Sequence, residues 1–333
     1  MKFPVGLSAT LAWYITRKRL MRAPFVPLVL MLEPLFACNL NCATCGRVRE
    51  YRDLVSQMMS VEECLESSRE CGAPIVSVCG GEPLMYPAID ELVAKLIEAK
   101  RYIYLCTNGL NLAKASSTLK LSGRLVINVH IDGPPEIHDE IVSHKGAYEA
   151  AVAGIKAAVG RGFRVTVNTT VCKKTDMEVV DKLMSLLAVL GVSSFMISPA
   201  YSYESVEDKD CFMSREEARR KFAYVDQLAQ KHRLSNTPVY LDFLKGTREL
   251  TCTAWGNPTR NVAGWRSPCY LIADTHYATY SELVKKTNWH AYGTGRDPRC
   301  ADCLVHCGFE PTAALMLNKK RGDLWRTLRW QFS

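Results

Sequence analysis

Apolar and polar positions along residues 28–199 follow two alternating patterns. Short apolar runs, typical of buried strands, are separated by longer segments whose apolar residues recur every three or four positions, as in amphipathic helices. The predicted strands are Leu28–Glu33, Ile75–Cys79, Tyr102–Cys106, Leu125–Ile131, Arg164–Val171 and Ser193–Ser198. The predicted helices are Ser60–Cys71, Ala88–Lys100, Leu112–Ser117, Tyr148–Gly160 and Asp176–Leu190. This alternation predicts an α/β fold in which a parallel sheet curves into a partial (β/α)6 barrel.

Composition narrows the class of protein. The chain has 333 residues, 48% of them hydrophobic, with a net charge of +8 and fourteen cysteines. These values predict a packed main domain at 27–200 and a smaller cysteine-rich extension at 201–333. Fourteen cysteines without an evident secretory leader favour a reducing cytoplasm over a disulfide scaffold. No apolar run reaches transmembrane length.

The positive charge fits two kinds of partner, nucleic acid and an anionic membrane surface. Nucleic acid is not expected, because neither an RNA-binding aromatic signature nor a histidine-containing zinc-finger spacing is present. Residues 1–26 contain an apolar segment, Gly6–Thr16, followed by a basic one, Arg17–Arg22. They predict an amphipathic basic helix in peripheral contact with the inner membrane, and Leu315–Phe332 is a candidate second contact. The alternative, that the helix caps the bottom of the main domain, stays open.

Three cysteines form the most concentrated chemical feature of the chain. Cys38, Cys42 and Cys45 follow the first predicted strand with the spacing CxxxCxxC. Their thiolates can reach one soft metal centre. A zinc site would need a fourth ligand, whereas a [4Fe-4S] cluster held by three cysteines keeps one iron open.

Polar residues end several of the other predicted strands. The second strand leads into Gly80, Gly81 and Glu82, followed by Pro83, and paired glycines allow the backbone to approach a ligand closely. Further polar candidates at strand ends are Asn128, His130, Asp132, Asn168 and Ser198. Because the carboxyl ends of parallel strands meet at one edge of a barrel, a polar ligand beside a metal centre is expected there.

The combination of CxxxCxxC with GGEP resembles the radical S-adenosylmethionine (SAM) superfamily over about Leu28–Pro199. The resemblance implies that the three cysteines ligate a [4Fe-4S] cluster whose open iron binds the amino and carboxylate groups of SAM. It implies that Gly80, Gly81 and Glu82 contact the methionine amino group. The residues implied to contact the ribose and carboxylate of SAM are Asn128, His130, Asp132, Asn168 and Ser198.

Within that superfamily the chain is similar to the adenosylhopane synthases of hopanoid biosynthesis. The similar segments are Pro27–Phe36, Tyr104–Asn108, Leu241–Leu244, Trp255–Asn261, Tyr292–Arg296 and Cys300–Gly308. The resemblance implies that the 5′-deoxyadenosyl radical from SAM, a consumed substrate, adds to the terminal alkene of the triterpene diploptene. A reductase, flavodoxin or ferredoxin would donate electrons. Radical addition leaves a carbon radical, and Cys106 is the candidate hydrogen-atom donor; the alternative is a buried thiol that only packs.

The remaining cysteines divide into two sets. Cys64 and Cys71 are predicted to lie in the core, and Cys172 and Cys211 are interpreted as structural residues without an evident partner in the sequence. The C-terminal set resembles the start of an auxiliary-cluster extension, and four of its five members would ligate a second iron–sulfur cluster, with Cys307 or Cys252 as the spare. The five are Cys252, Cys269, Cys300, Cys303 and Cys307. A structural zinc ion competes for the same thiolates.

Two other functions fit parts of this pattern. One is another radical SAM enzyme with an auxiliary cluster, acting on a peptide or a small molecule. The other is a non-enzymatic zinc-binding protein, which would be colourless and leaves the position of GGEP unexplained.

Overall fold

Six parallel strands form the centre of the fold in the computed structural model, which describes residues 2–201, 205–206, 209–317 and 321–332. The strands are β1 (Val29–Glu33), β2 (Ile75–Val78), β3 (Tyr102–Thr107), β4 (Leu125–His130), β5 (Arg164–Val171) and β6 (Ser194–Pro199). Their order in the sheet follows the chain, and every neighbouring pair is parallel. The predicted α/β fold is confirmed, and each predicted strand end lies within one residue of the observed end.

The helices of the first 200 residues connect these strands. They are α1 (Val5–Leu20), α2 (Arg47–Glu50), α3 (Val61–Cys71), α4 (Ile89–Glu98), α5 (Leu112–Thr118), α6 (Pro135–Ile141), α7 (Ala147–Gly160) and α8 (Met177–Val189). Helix α3 begins with a capping box between Ser60 and Glu63 and ends at Gly72, whose φ of 66° lies in the left-handed region. Helix α6 was not predicted, because the Gly133-Pro134-Pro135 run at its start is typical of a loop.

The two faces of each strand differ in character. On one face, apolar side chains such as Leu30, Val76 and Ile127 are fully buried and pack with helix residues in the main core. On the other face, polar side chains of neighbouring strands contact one another across the concave interior of the sheet. We call this interior the lumen; its polar side chains at mid-height are Ser77, Cys106, Asn128 and Thr166.

The C-terminal extension continues the same sheet. Its elements are α9 (Arg215–Phe222), α10 (Val225–Lys231), α11 (Pro238–Leu244), β7 (Thr259–Asn261), β8 (Gly264–Pro268), β9 (Ala273–Tyr277), α12 (Tyr280–Lys286), α13 (His306–Met316) and α14 (Arg321–Phe332). Strand β7 pairs in parallel with β1, and β8 and β9 follow antiparallel. The extension is therefore joined to the strand that precedes the cysteine loop.

Helix α1 lies across the N-terminal edge of the sheet. Leu7 is buried against Ile75 and Tyr102, the first residues of β2 and β3. The opposite side of the helix is exposed: Trp13 is 68% and Leu20 is 79% accessible. The helix thus caps the bottom of the barrel with one face and leaves the other free. No helix in the described ranges is long and apolar enough to cross a membrane.

The structure corrects the interpretation of one cysteine pair. Cys172 and Cys211 form a disulfide, although the sequence showed no partner for either and predicted reduced thiols throughout. The end of β5 and the segment before α9 lie side by side, and the Lys173 amide donates to the Cys211 carbonyl at 2.8 Å. Cys64 and Cys71 are buried in the core, as predicted.

Candidate active site

The three-cysteine loop follows β1 at the carboxyl edge of the sheet. Cys38, Cys42 and Cys45 are each partly buried. The guanidinium of Arg49 donates to the carbonyls of Cys42 (3.0 Å) and Cys45 (2.5 Å), which holds the loop together. Burial raises the pKa of Cys38 to about 11 and that of Cys42 to about 12, and neighbouring cysteines contribute to both shifts. Without a metal these groups are thiols, and binding a metal would release their protons.

The spacing of these thiols bears on the kind of metal they could hold. Among the residues that the structure describes, no three His, Cys, Asp or Glu side chains converge closely enough to bind a single ion. Zinc–sulfur bonds of about 2.3 Å would hold thiolates within about 4 Å of one another. A [4Fe-4S] cluster places each thiolate on a different iron and accommodates a wider spacing. Three cysteine ligands suffice for a [4Fe-4S] cluster with one open iron, whereas a structural zinc site needs a fourth ligand.

The GGEP segment packs directly under the cysteine loop. The Gly81 amide donates to the Leu35 carbonyl at 3.0 Å, and the Glu82 amide donates to the Ala37 carbonyl at 2.8 Å. A Cβ atom on Gly80 would lie 2.6 Å from the Leu35 oxygen, and one on Gly81 would collide with the Ala37 carbonyl. Both positions require glycine because two backbones meet there.

The Glu82 side chain is occupied by the protein itself. Its carboxylate accepts hydrogen bonds from the Thr107 hydroxyl (2.7 Å), the Asn108 amide (2.8 Å) and the Leu84 amide (3.0 Å). It is 1% exposed, and burial raises its pKa although these donors oppose the shift. The carboxylate thus ties the end of β2 to the end of β3, so a ligand at this loop would meet backbone groups.

Asn108, which the sequence analysis did not single out as a site residue, connects β3 to the cysteine loop. Its side-chain nitrogen Nδ2 donates to the Asn39 side-chain oxygen at 2.8 Å and lies 4.0 Å from the Cys38 sulfur. The sequence signal for Asn108 was its position just after the polar end of the predicted strand Tyr102–Cys106.

Cys106 faces the lumen. Its sulfur lies 3.3 Å from the Ser77 hydroxyl and 3.7 Å from the Asn128 amide nitrogen. Asn128 in turn accepts a hydrogen bond from Thr166 at 2.9 Å. Burial raises the pKa of Cys106, while the bonds from Ser77 and Asn128 oppose the shift. The residue is therefore a protonated thiol on the inner wall of the barrel.

A second polar group forms at the carboxyl ends of β4 and β5. His130 Nε2 lies 2.7 Å from an Asp132 oxygen, and its Nδ1 lies 3.3 Å from the Asn168 amide nitrogen. Burial lowers the pKa of His130, but the Asp132 carboxylate outweighs this effect and the net shift is upward. The Asn168 oxygen is buried without a hydrogen-bond partner among the described residues. An unpartnered acceptor here fits a polar ligand that is bound in the lumen.

Ser198 stands apart from this group. It is buried on β6 in register with Thr170, whose amide donates to Asp132 at 2.8 Å. Ser198 therefore lies one strand away from the His130 group and has no direct bond to it.

Buried ion pairs connect the cysteine loop to the extension, and the sequence analysis did not predict them. Arg47 pairs with Glu33 at 2.9 Å and with Glu50 at 3.3 Å, and it donates to the Tyr270 carbonyl at 2.8 Å. Arg266 pairs with Glu50 at 2.6 Å. Arg47 and Arg266 are 2% and 1% exposed. These ion pairs, in which Glu33, Arg47 and Arg266 are buried and Glu50 is partly exposed, hold the extension against the loop as long as each charge keeps its partner.

The five C-terminal cysteines line a single cavity of about 40 Å³, together with Tyr201 and Asn257. The cysteines are Cys252, Cys269, Cys300, Cys303 and Cys307. Burial, followed by the charges of the other cysteines, raises the pKa of Cys252 and Cys307 well above the usual range. The Asn257 oxygen is buried with no described partner. Because five thiols line one cavity, they are candidate ligands for an iron–sulfur cluster held by protein alone.

Fold and site together define an α/β partial barrel with one cysteine group at the edge of the sheet and another enclosed in the extension. Residues 32–187, just under half of the chain, match the family model of the radical SAM superfamily. The family uses a [4Fe-4S] cluster and SAM. Residues 195–327 match a domain of unknown function, DUF3463.

Curated relatives match about half of the chain. The chain is 30% identical over 176 residues to an AdoMet-dependent heme synthase of Methanosarcina barkeri, covering 51% of this chain and 50% of the relative. It is 30% identical over 145 residues to a GTP 3′,8-cyclase of Campylobacter fetus, covering 42% and 45%. The chain thus spans about half the length of the curated relatives it matches.

Solved structures resemble the fold over most of the chain. Streptococcus suis SuiB bound to its precursor peptide SuiA superposes with a TM-score of 0.64 at 15% identity, covering 91% of this chain and 76% of SuiB. The protein anSMEcpe with bound AdoMet gives 0.57 at 16% identity, covering 91% and 100%. At such identities the likeness shows the fold alone.

Proposed function

We propose that this chain is an adenosylhopane synthase, which joins the 5′-deoxyadenosyl group of SAM to the terminal alkene of diploptene. The match of residues 32–187 to the radical SAM model supports the first half of this proposal, and the segments that resemble adenosylhopane synthases, such as Trp255–Asn261 and Cys300–Gly308, support the second. The observation that carries it is the Cys106 thiol, a hydrogen-atom donor on the lumen wall at mid-height, where an alkene bound in the barrel would pass.

The three-cysteine loop would hold the [4Fe-4S] cluster. Bound there with SAM, the cluster would supply one reducing electron that releases a 5′-deoxyadenosyl radical. Gly80 and Gly81 present backbone close to the loop, and Asn168 offers a buried acceptor for SAM. The Glu82 carboxylate positions that backbone rather than binding SAM, because its oxygens are already bonded to Thr107 and to two amides.

Cys106 would complete the reaction on the substrate. Addition to the terminal alkene carbon forms a carbon–carbon bond and leaves a tertiary radical on the neighbouring carbon. The Cys106 thiol gives this radical a hydrogen atom, which produces the saturated adduct and a cysteine thiyl radical. A flavodoxin or ferredoxin class reductant and a proton then restore the thiol. The hydrogen bonds from Ser77 and Asn128 hold the sulfur in place for this transfer.

Mass spectrometry tests this function directly. Reconstituted protein is incubated without oxygen with SAM, reductant and diploptene, and a product with the combined mass of diploptene and deoxyadenosine is expected. In Cys106→Ala, SAM cleavage persists while the product shifts to unreduced or oligomeric species. Cys64→Ala, which removes a buried thiol outside the lumen, is the matched control. An unchanged adduct yield in Cys106→Ala would dismiss the assigned role, and 5′-deoxyadenosine without any adduct would overturn the substrate.

The proposal has two consequences for partners and cofactors. A triterpene hydrocarbon resides in lipid, so we propose peripheral contact with the inner membrane. Four of the five cysteines around the C-terminal cavity would ligate a second iron–sulfur cluster.

A further inference from the structure

We propose that α1 and α14 together form a docking surface for an anionic lipid bilayer at the N-terminal end of the barrel. The surface comprises the exposed apolar residues of the two helices and the basic residues of Arg17–Arg22. This inference rests on the proposed function in one respect, since a hydrocarbon substrate dissolved in lipid would give the surface its purpose.

Each helix presents an exposed apolar stripe. In α1, Trp13 (68% exposed) and Leu20 (79% exposed) are seven positions apart and therefore on one face. In α14, the exposed residues Trp325 (73%), Leu328 (43%) and Phe332 (63%) follow one another at spacings of three and four positions, so they lie on one face of the helix. Isolated exposed apolar side chains are ordinary on a protein surface, but two aromatic-rich stripes on adjacent helices are not.

Contacts at or next to the ends of α1 bring it close to the C-terminal helices. The Phe3 ring packs edge-on against Trp330 with centroids 5.6 Å apart. The Phe3 amide donates to the Gln331 side chain at 3.1 Å, and that side chain donates back to the Phe3 carbonyl at 2.8 Å. Arg19 donates to the Leu315 carbonyl at the end of α13. The chain at both ends of α1 is thus held close to α14 and to the end of α13, although these segments lie far apart in sequence.

The positive charge of this surface favours an anionic bilayer as its binding partner. Helix α1 contains no acidic residue, and the four cations at its end are Arg17, Lys18, Arg19 and Arg22. None of the four forms an ion pair with a described residue. Aromatic residues flanked by cations are the pattern of a helix at the interface of an anionic membrane, where the ring enters the headgroup layer and the cation binds lipid phosphate.

The position of this surface relative to the lumen gives it a role. Phe3 and Leu7 pack in one cluster with Tyr104, two residues before Cys106 on β3 and on the same face of that strand. A bilayer at α1 would therefore lie at the opposite end of the barrel from the cysteine loop. The apolar cluster of Phe3, Leu7 and Tyr104 lies between such a bilayer and Cys106.

Vesicle sedimentation tests the docking surface with the full, reconstituted protein. Vesicles of phosphatidylcholine with and without phosphatidylglycerol are compared for the wild type and three variants. We expect the wild type to bind the anionic vesicles more strongly. The double variant Arg17→Gln with Lys18→Gln should weaken this binding about fivefold for each cation removed. The double variant Trp13→Ser with Trp325→Ser should weaken it at least about tenfold. The matched control is Leu186→Ser with Val189→Ser, which removes apolar side chains that are 53% and 87% exposed on α8.

The outcomes separate this inference from the proposed function. Equal loss of binding in the α8 control, or wild-type binding that does not depend on phosphatidylglycerol, would overturn the docking surface. If the wild type binds a protein partner through these helices and does not sediment with vesicles, the docking surface is overturned as well. Adduct formation from detergent-dispersed diploptene is then measured for each variant. Retained activity with lost vesicle binding supports both proposals, whereas vesicle binding without any adduct supports the surface alone.

Discussion

The two cysteine groups differ in how they are built. Cys38, Cys42 and Cys45 come from one eight-residue segment and stand at the edge of the sheet, with the GGEP backbone beneath them. The five C-terminal cysteines come from separate segments between Cys252 and Cys307 and surround an enclosed cavity. An edge site can accept a ligand from outside, while an enclosed site offers protein ligands on all sides. The proposed function accordingly expects the reaction with SAM at the first group and a fully protein-ligated cluster at the second.

Removal of a ligand from the first group is expected to have the largest effect. Cys42→Ala should abolish cluster binding at the loop and lower 5′-deoxyadenosine formation by at least about 1,000-fold. The C-terminal cavity should keep its iron, because Cys42 takes no part in it. Iron analysis and 5′-deoxyadenosine quantification check both statements. A variant that still cleaves SAM at the rate of Cys64→Ala would contradict the assignment of the loop.

Removal of a ligand from the second group should halve the iron content without removing the first cluster. Reconstituted wild type is expected to hold about eight iron atoms per chain, and Cys269→Ala about four. The same analysis on Cys252→Ala and Cys307→Ala identifies the spare cysteine, since only one of the two should retain full iron. About four iron atoms in the wild type, with zinc in the remaining site, would show that the enclosed group binds zinc.

The link between the two regions should contribute to stability. Arg266→Met leaves Glu50 with one fewer cation and removes the bonds from Arg266 to the Cys269 and Leu271 carbonyls, both 3.0–3.1 Å long. We expect a loss of about 3 kcal/mol in the free energy of unfolding, measured by denaturant titration. Arg220→Met, which breaks an exposed pair with Glu216, should cost less than about 1 kcal/mol. Equal losses in the two variants would mean that the network is not a structural link.

The smallest expected effect depends on pH and concerns the extension alone. Glu310 on α13 accepts hydrogen bonds from the amide and hydroxyl of Thr237 (2.9 and 2.7 Å), and burial raises its pKa to about 7. The folded state thus keeps a proton that the unfolded state loses above its ordinary pKa of 4.5, so stability falls as the pH rises from about 4.5 to 7. Glu310→Gln should flatten this dependence by about 1–3 kcal/mol and leave stability near pH 4.5 unchanged.

Thermal unfolding between pH 4.5 and 8 measures this dependence. Glu216→Gln, at an exposed position on α9, is the control and should follow the wild type. A slope that is identical in the wild type and in Glu310→Gln would show that Glu310 titrates as an ordinary carboxyl group.

Features that depend on neighbouring residues could be read from the sequence. The six strands, the capping box at Ser60 and the stop at Gly72 are local patterns of period, cap and turn, and the structure contains all of them. The three-cysteine loop is equally local, since its ligands lie within eight residues. The roles assigned to the individual site residues stay predictions.

Features that join distant segments were decided only by the tertiary structure. The Cys172–Cys211 disulfide joins residues 39 positions apart, and the pairs of Arg47 and Arg266 with Glu50 join the loop to the extension. The sequence offered five cysteines for four positions, and the fold brings all five to one cavity. The sequence likewise left two roles open for α1, a membrane contact and a cap on the main domain, and the structure gives this helix one buried and one exposed face. Hydrophobic period and ligand spacing act within a few residues, whereas contacts between segments depend on how the whole sheet curves and packs.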